Sequence, residues 1–119
     1  MSDLFAKLKR MQPARRVVDY GGLSFLVQGI SQMDKNSIMA ECTSSKTGRL
    51  DGGKAEQRLL AACVRDPKTE ELVQPDYREW DIAADAAAPL IRAVIQVCNL
   101  DEDEVDELVK KFTDPPTCD

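Results

Sequence analysis

Residues 76–112 read DYREWDIAADAAAPLIRAVIQVCNLDEDEVDELVKKF and carry the clearest structural signals in this sequence. The stretch predicts consecutive helices, because apolar residues recur at helical spacing and the segments begin with capping signals. It contains no useful arrangement of catalytic side chains. A sequence whose strongest pattern lies in helix surfaces is typical of a binding or assembly protein, so the main question concerns its partner.

The first predicted helix of this stretch begins at Asp76, which has capping-box spacing to Glu79. Tyr77 and Trp80 would lie on one face of this helix. Pro89 falls inside the continuing helical pattern, where it removes a backbone donor and crowds the preceding turn. We therefore expect the helix to kink or to restart at Pro89.

The segment after this proline is almost entirely apolar. Its apolar residues are Leu90, Ile91, Val94, Ile95, Val97 and Cys98, which leave only a narrow polar stripe. Such a helix is expected to be largely buried, either in the core of the chain or in a subunit interface.

A final helix is predicted over residues 101–112. Asp101 and Glu104 have capping-box spacing, and acidic residues fill the first turn while lysines fill the last. Its apolar stripe consists of Val105, Leu108, Val109 and Phe112. Residues 113–119 contain two prolines and are expected to form a flexible tail.

The first half of the chain mixes strand and helix signals. Residues 1–15 predict a basic N-terminal arm or a short helix that ends before Pro13. Two β-rich runs flank Gly21-Gly22 and predict a hairpin. A helix is expected to begin at Ser31 or Asp34.

A further helix is predicted over residues 54–65, where Asp66-Pro67 ends it. Together these elements predict a mostly α, α+β protein. An N-terminal β-hairpin or pair of short strands would be followed by four to five helices, packed as one small domain over residues 1–119.

Composition excludes several classes of function. The chain of 119 residues has a net charge of −5, which argues against sequence-independent nucleic-acid binding. No apolar run has the length of a membrane span, and the N-terminus is not a secretory signal. The chain has no histidine, so we expect no enzymatic activity, and we predict neither a metal nor a cofactor.

The four cysteines are scattered rather than paired at short spacing. This pattern predicts reduced thiols in a cytoplasm, with no zinc or redox motif. Cys63 and Cys98 are interpreted as small apolar residues of the core.

Seven residues are candidates for contact with a partner. Tyr77 and Trp80 are of the types enriched at binding hot spots, although Trp80 is also a candidate for the core beneath the helix. The other candidates come from the two apolar stripes. They are Leu90, Val94, Val105, Leu108 and Phe112.

The two ends of the chain differ in charge. Residues 1–16 hold five basic and one acidic side chain, a net of +4, and residues 101–119 hold eight acids and two lysines, a net of −6. Opposite ends can pair within one molecule or between molecules, head to tail. A homo-oligomer joined in this way forms rings or open spirals. The alternative is a solvated acidic helix and a loose basic arm.

The order of these elements resembles the tail assembly chaperones of long-tailed, lambda-like siphovirus bacteriophages. The similarity is densest over residues 59–112. Within it stand LLAACVRDP (59–67), YREWD (77–81), NLDEDEV (99–105) and VKKF (109–112).

This resemblance implies a mostly helical protein of the host cytoplasm that is absent from the mature virion. Its expected partners are the tape measure protein and the tail-tube protein, whose polymerisation it would promote. The family often makes a longer product by translational frameshifting, for which the codons of Lys110-Lys111 are a candidate. Two other functions fit the composition: a small structural head–tail or tail completion protein, and an adaptor that binds a host protein.

Overall fold

The computed structural model describes residues 2–100 of the chain. Its helices are α1 (Asp3–Lys9), α2 (Gln32–Glu41), α3 (Gly52–Cys63) and α4 (Ala84–Val97), its strands are β1 (Arg15–Tyr20), β2 (Leu23–Gln28) and β3 (Val64–Arg65), and a 3-10 helix spans Tyr77–Glu79. The fold is α+β over these residues, with one three-stranded antiparallel sheet and four α-helices. The predicted helix over residues 101–112 and the predicted tail over 113–119 lie outside the described residues.

The predicted hairpin is confirmed. β1 and β2 pair antiparallel, from Arg15 opposite Gln28 to Tyr20 opposite Leu23. Gly21 and Gly22 connect the strands with φ angles of 60° and 79°. Both angles lie in the left-handed region that a two-residue type I′ turn requires and that glycine adopts without steric cost.

The predicted helix over residues 54–65 differs at both ends from the observed α3. It begins at Gly52, because the Asp51 side chain caps it by accepting from the Lys54 N–H at 3.1 Å. It ends at Cys63, and Val64 is extended, with φ −84° and ψ 122°.

The prediction that strands occur only near the N-terminus is wrong, because Val64 begins β3. Val64 lies opposite Val27 and Arg65 lies opposite Leu26, so β3 is the third strand of the sheet, in the order β1-β2-β3. Val64 is fully buried. Pairing with β2 and burial of this β-branched side chain override the helical periodicity of the preceding residues.

The helix predicted from Asp76 is two separate elements. The Asp76 side chain accepts from the Arg78 N–H at 3.1 Å and caps only the three-residue 3-10 helix. A new helix, α4, begins at Ala84 and continues through Pro89. The predicted helix is therefore interrupted between Glu79 and Ala84, before Pro89, and not at the proline itself.

The core lies where α4 and the hairpin meet, with α3 and β3 beside them. Val27, Leu59, Leu60, Cys63, Val64 and Val94 are the largest fully buried side chains. The predicted burial of the apolar segment after Pro89 is confirmed, and its side chains pack within the chain's own core. Each such side chain stabilises the fold by roughly 1.5–3 kcal/mol relative to exposure.

β2 and α4 approach closely at Gly29. A Cβ atom at this position would lie 2.4 Å from the carbonyl oxygen of Val97. The same glycine donates its N–H to the carbonyl oxygen of Ala14 at 2.9 Å. Gly29 thus fixes the start of β1 against the end of α4.

Candidate functional site

An apolar groove of about 690 Å³ opens between the hairpin, the loop that follows β3, the 3-10 helix and the start of α4. This volume lies within the range of ordinary ligand and peptide sites. The groove is lined by Tyr20, Gly21, Leu23, Phe25, Val73, Gln74, Glu79, Trp80, Ile82, Ala86 and Leu90.

One wall of the groove comes from the tip of the hairpin. Leu23 and Phe25 alternate along β2 and share a face with Val27, which belongs to the core. Tyr20 pairs with Leu23 across the turn, so it lies on the same face. The strand thus buries its far end and leaves its apolar tip open, with the Leu23 side chain 62% exposed.

Trp80 lines the groove from the core side. The tryptophan is only 7% exposed. Its indole Nε1 donates to the backbone carbonyl oxygen of Gln74 at 2.7 Å, which satisfies the buried N–H and holds the loop against the ring. Leu90, on the second turn of α4, is also buried beside the groove.

Val73 and Ile82 add two further exposed apolar side chains to the lining of the groove. Among the described residues that line the groove, Glu79 is the one with a formal charge at neutral pH. A concave, exposed apolar surface of this kind is typical of a site for another protein or an apolar ligand.

The sequence-based candidates lie in different surroundings. Trp80 and Leu90 both line the groove. Trp80 also belongs to the core, which is the alternative prediction for this residue. Val94 lies one turn beyond Leu90 and is fully buried. Val105, Leu108 and Phe112 lie outside the described residues.

Tyr77 lies outside the groove and is half-buried. The guanidinium carbon of Arg58 lies 5.1 Å from the centre of its ring, and Arg58 also forms an ion pair with Glu41. These contacts connect the 3-10 helix to α3 and α2. The role of all seven candidates in partner binding stays a prediction.

Sequence reasoning missed most of the large apolar side chains that line the groove: Tyr20, Leu23, Phe25, Val73 and Ile82. Leu23, Phe25 and Val27 alternate along β2, but Leu26 beside Val27 makes both faces of the strand apolar in the sequence. The pattern does not reveal which of these residues the rest of the chain covers.

The thiols in the described part of the chain are not activated. The Sγ atoms of Cys63 and Cys98 lie 3.6 Å apart, between the ends of α3 and α4. The hydrogen bond with Cys98 is the larger cause, and burial the second, of the raised pKa of the Cys63 thiol. Burial also raises the pKa of the Cys42 thiol. Thiols with raised pKa values are poor nucleophiles. Burial confirms that Cys63 and Cys98 are core residues.

One exposed pair near the groove has a perturbed carboxyl group. The Arg78 side chain donates to both carboxylate oxygens of Asp76, at 3.1 and 3.2 Å. This hydrogen bonding, together with the Arg78 N–H, lowers the pKa of Asp76. The pair reinforces the cap of the 3-10 helix, and its solvent exposure keeps the energetic effect small.

Over residues 2–100, no group of three or more acidic, cysteine or histidine side chains is arranged to hold a metal ion. Within the same span, none of the helices combines the length and apolar character needed to cross a bilayer.

Comparison with known proteins gives no assignment: no family model matches the chain, and neither a curated protein nor a solved structure is significantly similar to it.

Proposed function

We propose that this protein is a non-enzymatic tail assembly chaperone of a long-tailed bacteriophage. In this role it binds the tape measure protein in the host cytoplasm, promotes polymerisation of the tail-tube protein around it, and is absent from the mature virion. The proposal rests on the order of elements and on the segments over residues 59–112 quoted above.

The observation that best supports a binding role is the apolar groove. An open groove of about 690 Å³, with exposed Leu23, Val73 and Ile82 among its lining residues, is suited to the apolar face of a helix. Helix-in-groove recognition depends on apolar side chains at positions i, i+3 or i+4, and i+7. A tape measure protein, which is long and helical, offers many such faces.

The charge of the chain supports the same role. A protein that holds an aggregation-prone helical client needs an apolar contact surface and a strongly charged exterior. The net charge of −5 supplies the exterior, because net charge of one sign keeps protein complexes soluble.

Co-expression with the tape measure protein of the same genome tests this proposal. The wild-type chain is expected to co-purify with that protein and to keep it soluble. The double variant Leu23→Asp/Ile82→Asp places two charges in the groove and is expected to lose the client. Both positions are exposed, so the variant should still fold.

Met33→Asp is the control for an added surface charge, because Met33 is an exposed apolar residue on α2 that does not line the groove. Co-purification of the groove variant at the wild-type level would show that the groove is not the client site. Recovery of the chain in purified virions would favour a structural head–tail role instead.

The longer frameshifted product also belongs to this proposal. The nucleotide sequence around the codons of Lys110-Lys111 tests it, since a sequence without a slippery heptamer, or without an overlapping downstream frame, would remove it.

A further inference from the structure

A second exposed apolar surface, besides the groove, lies on α1 near the start of the chain. Ser2 caps this helix by accepting from the Phe5 N–H at 3.2 Å, and none of the residues of α1 is buried. Leu4 is 79% exposed, Leu8 61% and Met11 72%. The three residues lie at positions i, i+4 and i+7, so their side chains form one stripe. Met11 lies beyond the end of α1, but its N–H donates to the carbonyl oxygen of Leu8, which continues the helical turn.

The chain therefore exposes an apolar helical stripe and an apolar groove at the same time. Exposed apolar surfaces of this kind mark interaction sites. We propose that α1 of a second copy of this chain binds in the groove, so that copies associate head to tail. This inference goes beyond the proposed function, because it concerns contacts between copies in the absence of the client. A client helix that binds in the same groove would displace α1.

The hairpin keeps the stripe away from the groove of its own chain. Ala14 is fixed beside Gly29 by the hydrogen bond of 2.9 Å, at the end of β1 opposite to the turn. Only Gln12 and Pro13 separate Met11 from Ala14. The three residue steps from Met11 to Ala14 span at most about 11 Å.

The groove lies toward the far end of the hairpin. Six residues of β1 separate Ala14 from the turn, a length of roughly 20 Å. Met11 and Leu8 consequently stay near the Arg15 end, and the stripe of α1 does not fit as a whole into its own groove. A second copy has no such restriction.

Charge favours α1 over the other apolar stripe that the sequence offers. Lys7 and Lys9 on α1 and Arg10 at its end are basic, and the one charged side chain among the described groove residues is the carboxylate of Glu79. The stripe predicted over residues 101–112 belongs to a segment with a net charge of −6, which the same carboxylate would repel. Complementary charge thus points to α1 as the occupant.

The contact would be heterologous, because α1 and the groove are different surfaces. Each copy offers one helix and one groove, so association continues until a ring closes or a filament forms. This property gives the proposal a sharp test, since the two surfaces can be disabled separately.

Two variants are needed, both in the full-length chain. The helix variant Leu4→Asp/Leu8→Asp disables α1, and the groove variant Leu23→Asp/Ile82→Asp disables the acceptor surface. All four positions are exposed, so circular dichroism and thermal unfolding should match those of the wild type. Met33→Asp again controls for the added charge.

Sedimentation velocity at low ionic strength gives the readout. The wild type and Met33→Asp are expected to form species larger than a dimer, and each double variant alone is expected to be monomeric. Removing a hot-spot side chain typically weakens binding by about 30-fold or more. An equimolar mixture of the two variants is expected to form a 1:1 dimer and nothing larger, because only one intact helix meets one intact groove.

A monomeric wild type, or a mixture that stays monomeric, would overturn the proposal. If the helix variant assembled as the wild type does while the groove variant did not, the occupant would be another surface, such as residues 101–119. If the helix variant were monomeric while the groove variant assembled as the wild type does, the contact would join α1 of one copy to α1 of another. This result would also contradict the proposal.

Discussion

The indole nitrogen of Trp80 donates to the carbonyl oxygen of Gln74 at 2.7 Å. This bond closes a short loop between the end of the sheet and α4. It places the chain's single tryptophan against the groove and holds the loop that carries Val73, another lining residue. The shape of the groove therefore depends on one side chain that also belongs to the core.

Replacing Trp80 by Phe should lower the free energy of unfolding by about 1–3 kcal/mol. Phenylalanine keeps most of the apolar volume but leaves the Gln74 carbonyl without its partner. Urea unfolding followed by circular dichroism measures the effect. Trp80→Ala should cost more, about 3–5 kcal/mol, because it adds a cavity. Equal stability of Trp80→Phe and the wild type would show that water replaces the bond without cost.

The emission of Trp80 should report on occupation of the groove. Dilution of the wild type should shift its fluorescence slightly toward the red, because α1 of the neighbouring copy leaves the groove. The shift should be small, since Trp80 is only 7% exposed when the groove is empty. The helix variant Leu4→Asp/Leu8→Asp should show the dissociated spectrum at every concentration. An emission maximum that stays constant while sedimentation records dissociation would place the contact away from Trp80.

Replacing Gly22 by Ala should lower the free energy of unfolding by about 1–2 kcal/mol, the cost of a left-handed conformation for a residue with a Cβ atom. The φ angle is 79°, and the space around the position is open, so the loss would be conformational and not steric. Gly22→Asn is the control, because asparagine tolerates this region better and should cost less. Equal losses for both variants would indicate a different cause.

The buried thiols should resist alkylation in the folded state. In a Cys118→Ser background, which removes the one thiol outside the described residues, the remaining cysteines should react with iodoacetamide much more slowly than in urea. Fast labelling of Cys63 in native buffer, detected by mass spectrometry, would contradict its burial and its raised pKa.

The same pKa shift has a consequence for stability. The folded-state pKa of the Cys63 thiol lies above its unfolded value. The stabilisation by the protonated thiol is therefore fully present below the ordinary thiol pKa of about 8.5 and is lost as the pH rises above it. The free energy of unfolding should therefore fall between neutral and strongly alkaline pH. Cys63→Ala, which removes the titrating group, should reduce this slope.

Some of the fold follows from local sequence patterns. Gly21-Gly22 between two β-rich runs determines the hairpin, and the largely apolar segment after Pro89 determines a buried helix. In both cases the signal lies within a few residues of the structure it specifies.

Other parts depend on contacts between distant residues. Val64 is extended because it pairs with Val27, which lies 37 positions earlier. Trp80 follows the last residue of the short 3-10 helix that begins after Asp76. The hydrogen bond from its indole to the Gln74 carbonyl directs the Trp80 side chain toward the preceding loop. The groove was missed for the same reason, because the hairpin, the loop after β3, the 3-10 region and α4 each contribute only a part of it.

Photo-crosslinking tests the role of the groove in client binding most directly. A benzophenone side chain would replace Leu23, Ile82 or, as the control, Met33, each in the helix variant so that α1 does not compete. After co-expression with the tape measure protein and irradiation, positions 23 and 82 should yield an adduct with that protein and position 33 should not. Adducts from position 33 alone, or from no position despite co-purification, would contradict the assignment of the groove as the client site.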